Sequence, residues 1–209
     1  MTLLIAYPKG RLGDELLEKI AGSALGPAVD PGRALKVPAR EPGVELVFLK
    51  GSDLVEYVAR NVAALGVVGS DALDEKDVDV LELADLGLGR CRLSVSAPVG
   101  VSLGDLAKKK HLRLATKFVR RTQRWLHRQG ITAELVPLTS SIELAPVLGL
   151  ADAIVDLVQT GRTLVENGLA EIECITQVSG RLIAARGAYL EDPRRIDHLA
   201  SLLVEASRK

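Results

Sequence analysis

Aromatic residues are scarce: one tryptophan, three tyrosines and two phenylalanines in 209 residues. Any core must therefore be built from Leu, Val, Ile and Ala. Cysteine is nearly absent, with only Cys91 and Cys174. Two cysteines form one bridge at most, which excludes a disulfide scaffold. They read as reduced thiols behaving as small apolar residues. Net charge is lacking as well, since 27 Lys and Arg balance 27 Asp and Glu. Wholesale coating of nucleic acid is thereby excluded, and only local basic patches stay open. No run approaches the roughly 18 apolar residues of a membrane span. The opening run Met1–Ala6 is too short for a signal segment, and Lys9 and Arg11 follow it rather than precede it. A cytoplasmic protein without membrane or nucleic-acid partners is expected. The three histidines, His111, His127 and His198, share no ligand spacing with one another or with the cysteines. No fixed protein metal site is expected.

The residues that are present alternate in a regular way. Hydrophobic residues are 47% and charged residues 26%, which are globular proportions. Leu3–Ala6 reads as a buried strand, and Leu12, Leu16, Leu17, Ile20 and Ala24 recur at helical spacing. Val44–Leu49 reads as a strand, with Asp53 capping a helix to about Asn61. Further strands are expected at Leu65–Val68 and Val78–Leu83. After the glycine-rich Asp85–Gly89 the rhythm restarts. Strands are expected at Leu93–Ser96, Leu112–Thr116, Ala133–Val136, Asp152–Val158, Ile172–Val178 and Arg181–Arg186. Helices are expected at Leu103–Lys110, Arg120–Gln129, Ser141–Leu148, Gly161–Asn167 and Asp192–Ser207. Repeated strand–helix units imply an α/β fold of mostly parallel sheets, in two small sheets rather than one wide one. In such folds ligands bind on the loops beyond the carboxyl ends of strands.

One stretch carries most of the chemistry. Asp152–Val158 runs into Thr160-Gly161-Arg162-Thr163, a strand, a tight loop and a helix start. Unsatisfied backbone N–H groups at a helix start hold phosphate, and Gly161 permits close backbone approach. Thr160 and Thr163 add hydroxyls, and Arg162 adds a cation. Asp152 and Asp156 are four apart, so on a strand they share a face that can take ribose hydroxyls or a magnesium-bound water. Lys9-Gly10-Arg11 forms a second phosphate-friendly loop. Residues 108–128 hold nine Lys and Arg and no acid; this reads as a solvated helix face opposite Trp125 and Leu126.

The segment from Glu143 resembles the signature of the ATP phosphoribosyltransferase family. Glu143, Gly149, Ala151, Ile154, Asp156, Leu157, Thr160, Gly161, Thr163 and Leu164 all fall in place. Tyr7–Arg11, Gly66–Leu73, Asp85–Gly89, Ala115–Lys117 and Arg181–Ile183 resemble further family blocks in the same order, so the likeness spans nearly the whole chain. It implies a type II two-lobed fold like that of periplasmic binding proteins, with two small α/β domains and ligands in a cleft. The expected domains are 1–88 plus 176–209, discontinuous, and 89–175, which carries the phosphate loop. Because it ends soon after the segments that resemble the catalytic core, the chain is expected to be similar to the family's short form. That form works with a regulatory subunit related to histidyl-tRNA synthetase, as a homodimer within a larger hetero-oligomer.

The implied reaction joins N1 of ATP to the ribose of phosphoribosyl pyrophosphate, with magnesium on the phosphates. The resemblance places Arg11, Arg33 and Lys50 at the triphosphate or the leaving group. It places Lys9, Lys117, Glu143, Asp152, Ala153, Asp156, Thr160, Gly161, Arg162 and Thr163 at the substrates. The chain also departs from the family. Lys50 stands where arginine is usual, Gln159 where an acid is common, and Ser140 where glycine is common. Two other readings are a non-catalytic two-lobed binder and a degenerate paralogue.

Overall fold

The computed structural model describes residues 2–208. The chain forms two compact units, Met1–Arg90 with Ser179–Lys209, and Cys91–Val178. The breaks expected from sequence, 88/89 and 175/176, lie two to three residues earlier.

The first unit begins with β1 (Leu3–Pro8), α1 (Arg11–Ile20), β2 (Lys36–Pro38), β3 (Val44–Leu49), α2 (Gly51–Ala59), β4 (Leu65–Gly69), α3 (Ser70–Lys76) and β5 (Leu81–Asp85). The second unit contains β6 (Cys91–Pro98), α4 (Leu103–Ala107), β7 (Arg113–Thr116), α5 (Val119–Gln129), β8 (Glu134–Pro137), α6 (Leu144–Val147), β9 (Ala153–Val158), α7 (Arg162–Glu166) and β10 (Leu169–Val178). The chain then returns to the first unit as β11 (Gly180–Ala184), α8 (Arg186–Glu191) and α9 (Pro193–Ser207).

The first unit is a six-stranded sheet in the order β2-β3-β1-β4-β11-β5. β1 lies between β3 and β4 and runs parallel to both, from Leu3 opposite Val44 to Pro8 opposite Leu49. That register delivers Lys9 and Lys50 from adjacent strand ends. Ile5, Ala6 and Tyr7 are fully buried, as an inner strand covered on both faces requires. Two glycines let helices sit close. A Cβ at Gly66 would come within 2.8 Å of Leu54 and Val58, and one at Gly13 within 1.7 Å of the Pro8 carbonyl oxygen. The buried Tyr7 hydroxyl donates to the Leu25 carbonyl at 3.0 Å, so its polar end is satisfied.

The second unit is a five-stranded sheet in the order β10-β6-β9-β7-β8. Its two faces bury different sets. Leu93, Val95, Leu114, Ala153 and Val155 join Phe118, Trp125 and Leu126 in one cluster. Ala115, Ile154 and Val158 join Ile142, Ala145 and Leu164 in another. Period-two alternation along β9 divides Ala153 and Val155 from Ile154 and Val158. α5 presents Trp125 and Leu126 inward and Arg124, His127 and Arg128 outward, as its amphipathic pattern predicts.

Several sequence expectations need correction. The sheets are mixed, not mostly parallel. β2, β11, β5, β6 and β10 all enter through antiparallel pairings. Asp53 is not the cap of α2. Lys50 holds that position and Asp53 lies in the first turn, where its Oδ1 accepts from the Ser52 hydroxyl. The strand expected at 78–83 is β5, two to three residues later. The helix expected from Ser141 starts at Leu144, with Ser141 at a positive φ of 50°. β2, α3 and α8 are elements that the periodicity does not announce. Among the described residues neither cysteine forms a disulfide; Cys91 is buried and Cys174 exposed. Among the described residues, no helix is long and apolar enough to cross a membrane.

Candidate functional site

In the second unit, β9 ends at Val158 and α7 begins at Arg162. Gly161 caps that helix with φ +77°, a left-handed conformation suited to glycine. The Arg162 N–H lies 3.4 Å from the Thr160 hydroxyl, a long contact that leaves the loop's donors largely uncommitted. Thr160, Arg162 and Thr163 are exposed, and Gly161 is half-buried. Arg162 points along its own helix, 3.9 Å from Glu166.

Asp156 stands two residues before the end of β9. Its Oδ1 accepts the Leu157 N–H at 2.8 Å and lies 3.5 Å from Lys117 Nζ. Burial pushes its carboxyl above the usual carboxylate range; Lys117 opposes the shift and the charge of Glu143 adds to it. Lys117 leaves the turn between β7 and α5, and its ammonium sits 5.0 Å from the centre of the Phe118 ring. That turn is well braced. The Thr116 hydroxyl donates to the Val155 carbonyl at 2.7 Å and accepts the Phe118 N–H at 2.9 Å. β7 and β9 run parallel, with Thr116 opposite Val155, so Lys117 and Asp156 emerge side by side.

The structure does not bring Asp152 to this loop. It precedes β9, accepts the Arg113 N–H at 2.8 Å, and pairs with Lys109 Nζ at 2.8 Å. It lies four residue steps from Asp156, about 13 Å at the usual rise of a strand. Lys109 and that N–H hold its carboxyl below the usual range against the opposing effect of burial. Ala153, the first residue of β9, is fully buried in the apolar cluster. Three residues that no motif singles out do support the loop. Arg92 Nη1 donates to the Gln159 carbonyl at 3.1 Å, and Arg92 is gripped by Glu171, which also accepts from Ser94.

The first unit contains a cavity of about 390 Å³ lined by Lys9, Gly10, Asp14, Arg33 and Phe48, among others. Lys9 follows β1, and its N–H donates to the Leu49 carbonyl at 2.7 Å. Arg33 arrives on the loop before β2. Lys9 and Arg33, far apart in sequence, thus line one cavity. Lys50 begins the turn from β3 into α2, beside Lys9. Lys9, Arg33 and Lys50 are exposed and make no ion pair among the described residues. Arg11 is turned elsewhere. Its Nη2 donates to the Gly89 carbonyl at 3.0 Å, while Glu15, one turn along α1, accepts the Gly89 N–H at 2.8 Å. Arg11 and Glu15 clamp both sides of one residue at the end of the first unit's initial segment. Among the described residues no cluster of His, Cys, Asp and Glu could hold a metal ion.

Both units therefore present strand-end loops suited to anions, and the second adds a carboxylate beside its loop. Residues 50–205 match the profile of the family described as HisG: ATP phosphoribosyltransferase. An ATP phosphoribosyltransferase of Sphingopyxis alaskensis is 45% identical over 192 residues, covering 90% of this chain and 86% of that one. A chain of the ATP phosphoribosyl transferase (HisG:HisZ) complex from Thermotoga maritima superposes with a TM-score of 0.85 at 26% identity, covering 99% of each chain. The periplasmic aliphatic sulphonate binding protein SsuA of Escherichia coli superposes with a TM-score of 0.64 at 17% identity, over 99% of this chain and 68% of that one. That second likeness shows the fold alone, the type II fold of two α/β units. With a matched profile over most of its length and a relative at 45% identity, the chain belongs to the ATP phosphoribosyltransferase family.

Proposed function

We propose that this chain is the catalytic subunit that opens histidine biosynthesis. It joins N1 of the adenine ring of ATP to C1 of the ribose of phosphoribosyl pyrophosphate. The products are N1-phosphoribosyl-ATP and pyrophosphate. The observation that carries this reading is the Glu143–Leu164 signature, built as a strand, an αL glycine turn and a helix start with Asp156 beside it.

The adenine N1 lone pair forms the new C–N bond as the bond from C1 to the pyrophosphate oxygen breaks. N1 is already a nucleophile, so no general base has to remove a proton. The difficulty is an electron-poor ribosyl centre and a departing group of high negative charge. Thr160, Gly161, Arg162 and Thr163 hold the 5′-phosphate. Asp156, kept in place by Lys117 and the Leu157 N–H, accepts from a ribose hydroxyl, and Glu143 supports it. Lys9, Arg33 and Lys50 take the polyphosphate groups. Arg11 acts at one remove by clamping Gly89. Asp152 is left out, because it is committed to Lys109 and the Arg113 N–H. Magnesium comes with the substrate phosphates and neutralises charge on them.

The partner we infer is a regulatory subunit related to histidyl-tRNA synthetase. The inferred assembly is a homodimer of this chain within a larger hetero-oligomer, working in the cytoplasm. The test is turnover of ATP and phosphoribosyl pyrophosphate with magnesium, followed by the absorbance of the N1-substituted adenine, with and without that subunit. Asp156→Ala and Thr163→Val are each expected to lower kcat/KM by about 100-fold or more in a protein with wild-type circular dichroism. Absence of turnover by the wild-type chain under both conditions would remove the enzyme reading.

A further inference from the structure

Arg92 lies on β6 at a crossroads, opposite Val158 of β9 on one side and Gln177 of β10 on the other. Its guanidinium is in use at all three nitrogens. Nε donates to Glu171 Oε1 at 2.6 Å and Oε2 at 2.9 Å, and Nη2 also donates to Glu171 Oε2. Nη1 donates to the Gln159 carbonyl at 3.1 Å. Ser94, fully buried two residues along the same face of β6, donates to Glu171 Oε1 at 2.7 Å. A register shift between Glu171 and Glu173 interrupts the β10–β6 ladder at this point. Such irregularities re-aim side chains. Here the Glu171 carboxylate reaches Ser94 and Arg92, although its backbone is paired with Ser96.

Gln159 is the residue directly before Thr160. The peptide joining them is planar, so the direction of the Gln159 carbonyl fixes the direction of the Thr160 N–H. A phosphate loop works only if its N–H groups converge before the ligand arrives. We propose that Arg92, aligned by Glu171 and Ser94, is a positioning residue that sets the first peptide of the Thr160–Thr163 loop and so pre-forms the seat of the 5′-phosphate. The inference rests on the phosphate-binding reading of that loop. It requires arginine: the fork grips a carboxylate with one edge and a carbonyl with the other, which a single ammonium on a flexible stem does not do. Arg92 and, with burial opposing, Ser94 keep the Glu171 carboxyl below its usual range, so the brace stays charged at neutral pH. Pairing of β10 with β6 rests on backbone ladder bonds, so losing the brace leaves the sheet standing.

The test uses the full chain with Arg92→Lys, Glu171→Gln and Ser94→Ala. Titration calorimetry measures binding of ribose 5-phosphate, which carries the 5′-phosphate alone, and of pyrophosphate, which lacks it. Arg92→Lys is expected to weaken ribose 5-phosphate about tenfold, with pyrophosphate unchanged. Glu171→Gln should fall between Arg92→Lys and the wild type, and Ser94→Ala closest to the wild type. In the steady state, KM for phosphoribosyl pyrophosphate rises and KM for ATP does not. A lowered melting temperature with unchanged ribose 5-phosphate affinity makes the brace merely structural and overturns the proposal. Thr163→Val is the control. If it weakens ribose 5-phosphate and Arg92→Lys does not, the brace fails alone. If neither variant weakens it, the phosphate-loop reading has failed and takes the proposal with it.

Discussion

The two units carry their charge in opposite ways. In the first, Lys9, Arg33 and Lys50 stand exposed on loops next to strands and make no ion pair among the described residues, and the cavity that Lys9 and Arg33 line has Asp14 as its one acid among the lining residues. In the second, the cations near the candidate site are already engaged: Lys117 with Asp156, and Arg92 with Glu171. On the proposed reading, exposed surface cations suit a mobile, highly charged polyphosphate and cost the fold little. Paired groups would instead fix a carboxylate and a loop for an anchor that stays put. The comparison teaches how electrostatic capture and pre-organisation would be separated within one small chain. The substitutions that follow test that separation.

The largest effect is expected from a single methyl group in the first unit. Gly13→Ala puts Cβ 1.7 Å from the Pro8 carbonyl oxygen, a backbone atom, so α1 must move off β1. A loss of about 3 kcal/mol or more is expected, read as a lowered urea midpoint. A midpoint equal to that of the wild type would show that α1 does not need this approach. The same change in the second unit should act on binding instead. At Gly161 the nearest atom to an added Cβ is 3.9 Å away, but φ is +77°. Gly161→Ala should cost only about 1 kcal/mol of stability while weakening phosphoribosyl pyrophosphate about tenfold or more. Equal damage to stability at both positions would erase the contrast between the units.

Lys117→Met tests the paired carboxylate. Burial raises the Asp156 pKa and Lys117 lowers it, so removing the ammonium must raise it further. A carboxyl whose folded pKa lies above its unfolded value favours the fold at low pH, and that contribution is lost as pH rises through the folded pKa. The variant should therefore be destabilised most at neutral pH and recover towards the wild type on acidification. The acid limb of phosphoribosyl pyrophosphate binding should also move to higher pH. Carbon-detected NMR titration of Asp156 reads the shift directly, and a downward movement would refute the pairing. The smallest effect is expected at the unpaired end. Lys50→Arg restores the fork usual in the family and should raise kcat/KM by about two- to fivefold. A similar gain from Lys50→Gln would show that charge at this position is not used.

Much of the architecture is legible in the order of the residues. Val44–Leu49 reads as a strand and is one, because its alternation of buried and half-buried positions matches the period of a sheet. The α5 helix lies within one residue of its expected start, because its inward stripe and basic face have a helical period. Short or unpatterned elements escape such reading. β2 is three residues ending in a proline, and α8 follows β11 so closely that its start reads as more strand. Parallel and antiparallel pairing cannot be told apart from composition, since buried strands of either kind are equally apolar.

The sequence by itself determined the α/β class, the aliphatic cores and the family, and it located the loop at Thr160–Thr163. These follow from periodicity, composition and a signature contiguous along the chain. The tertiary structure alone decided which of the candidate residues meet. It set Asp156 beside Lys117 through the pairing of β7 with β9. It drew Asp152 away to Lys109, turned Arg11 onto Gly89, and brought Arg92 to Gln159 across 67 residues. The physical reason is that strand start, register and bulge position are set by packing across the whole sheet. A one-residue difference in any of them reverses where a side chain points.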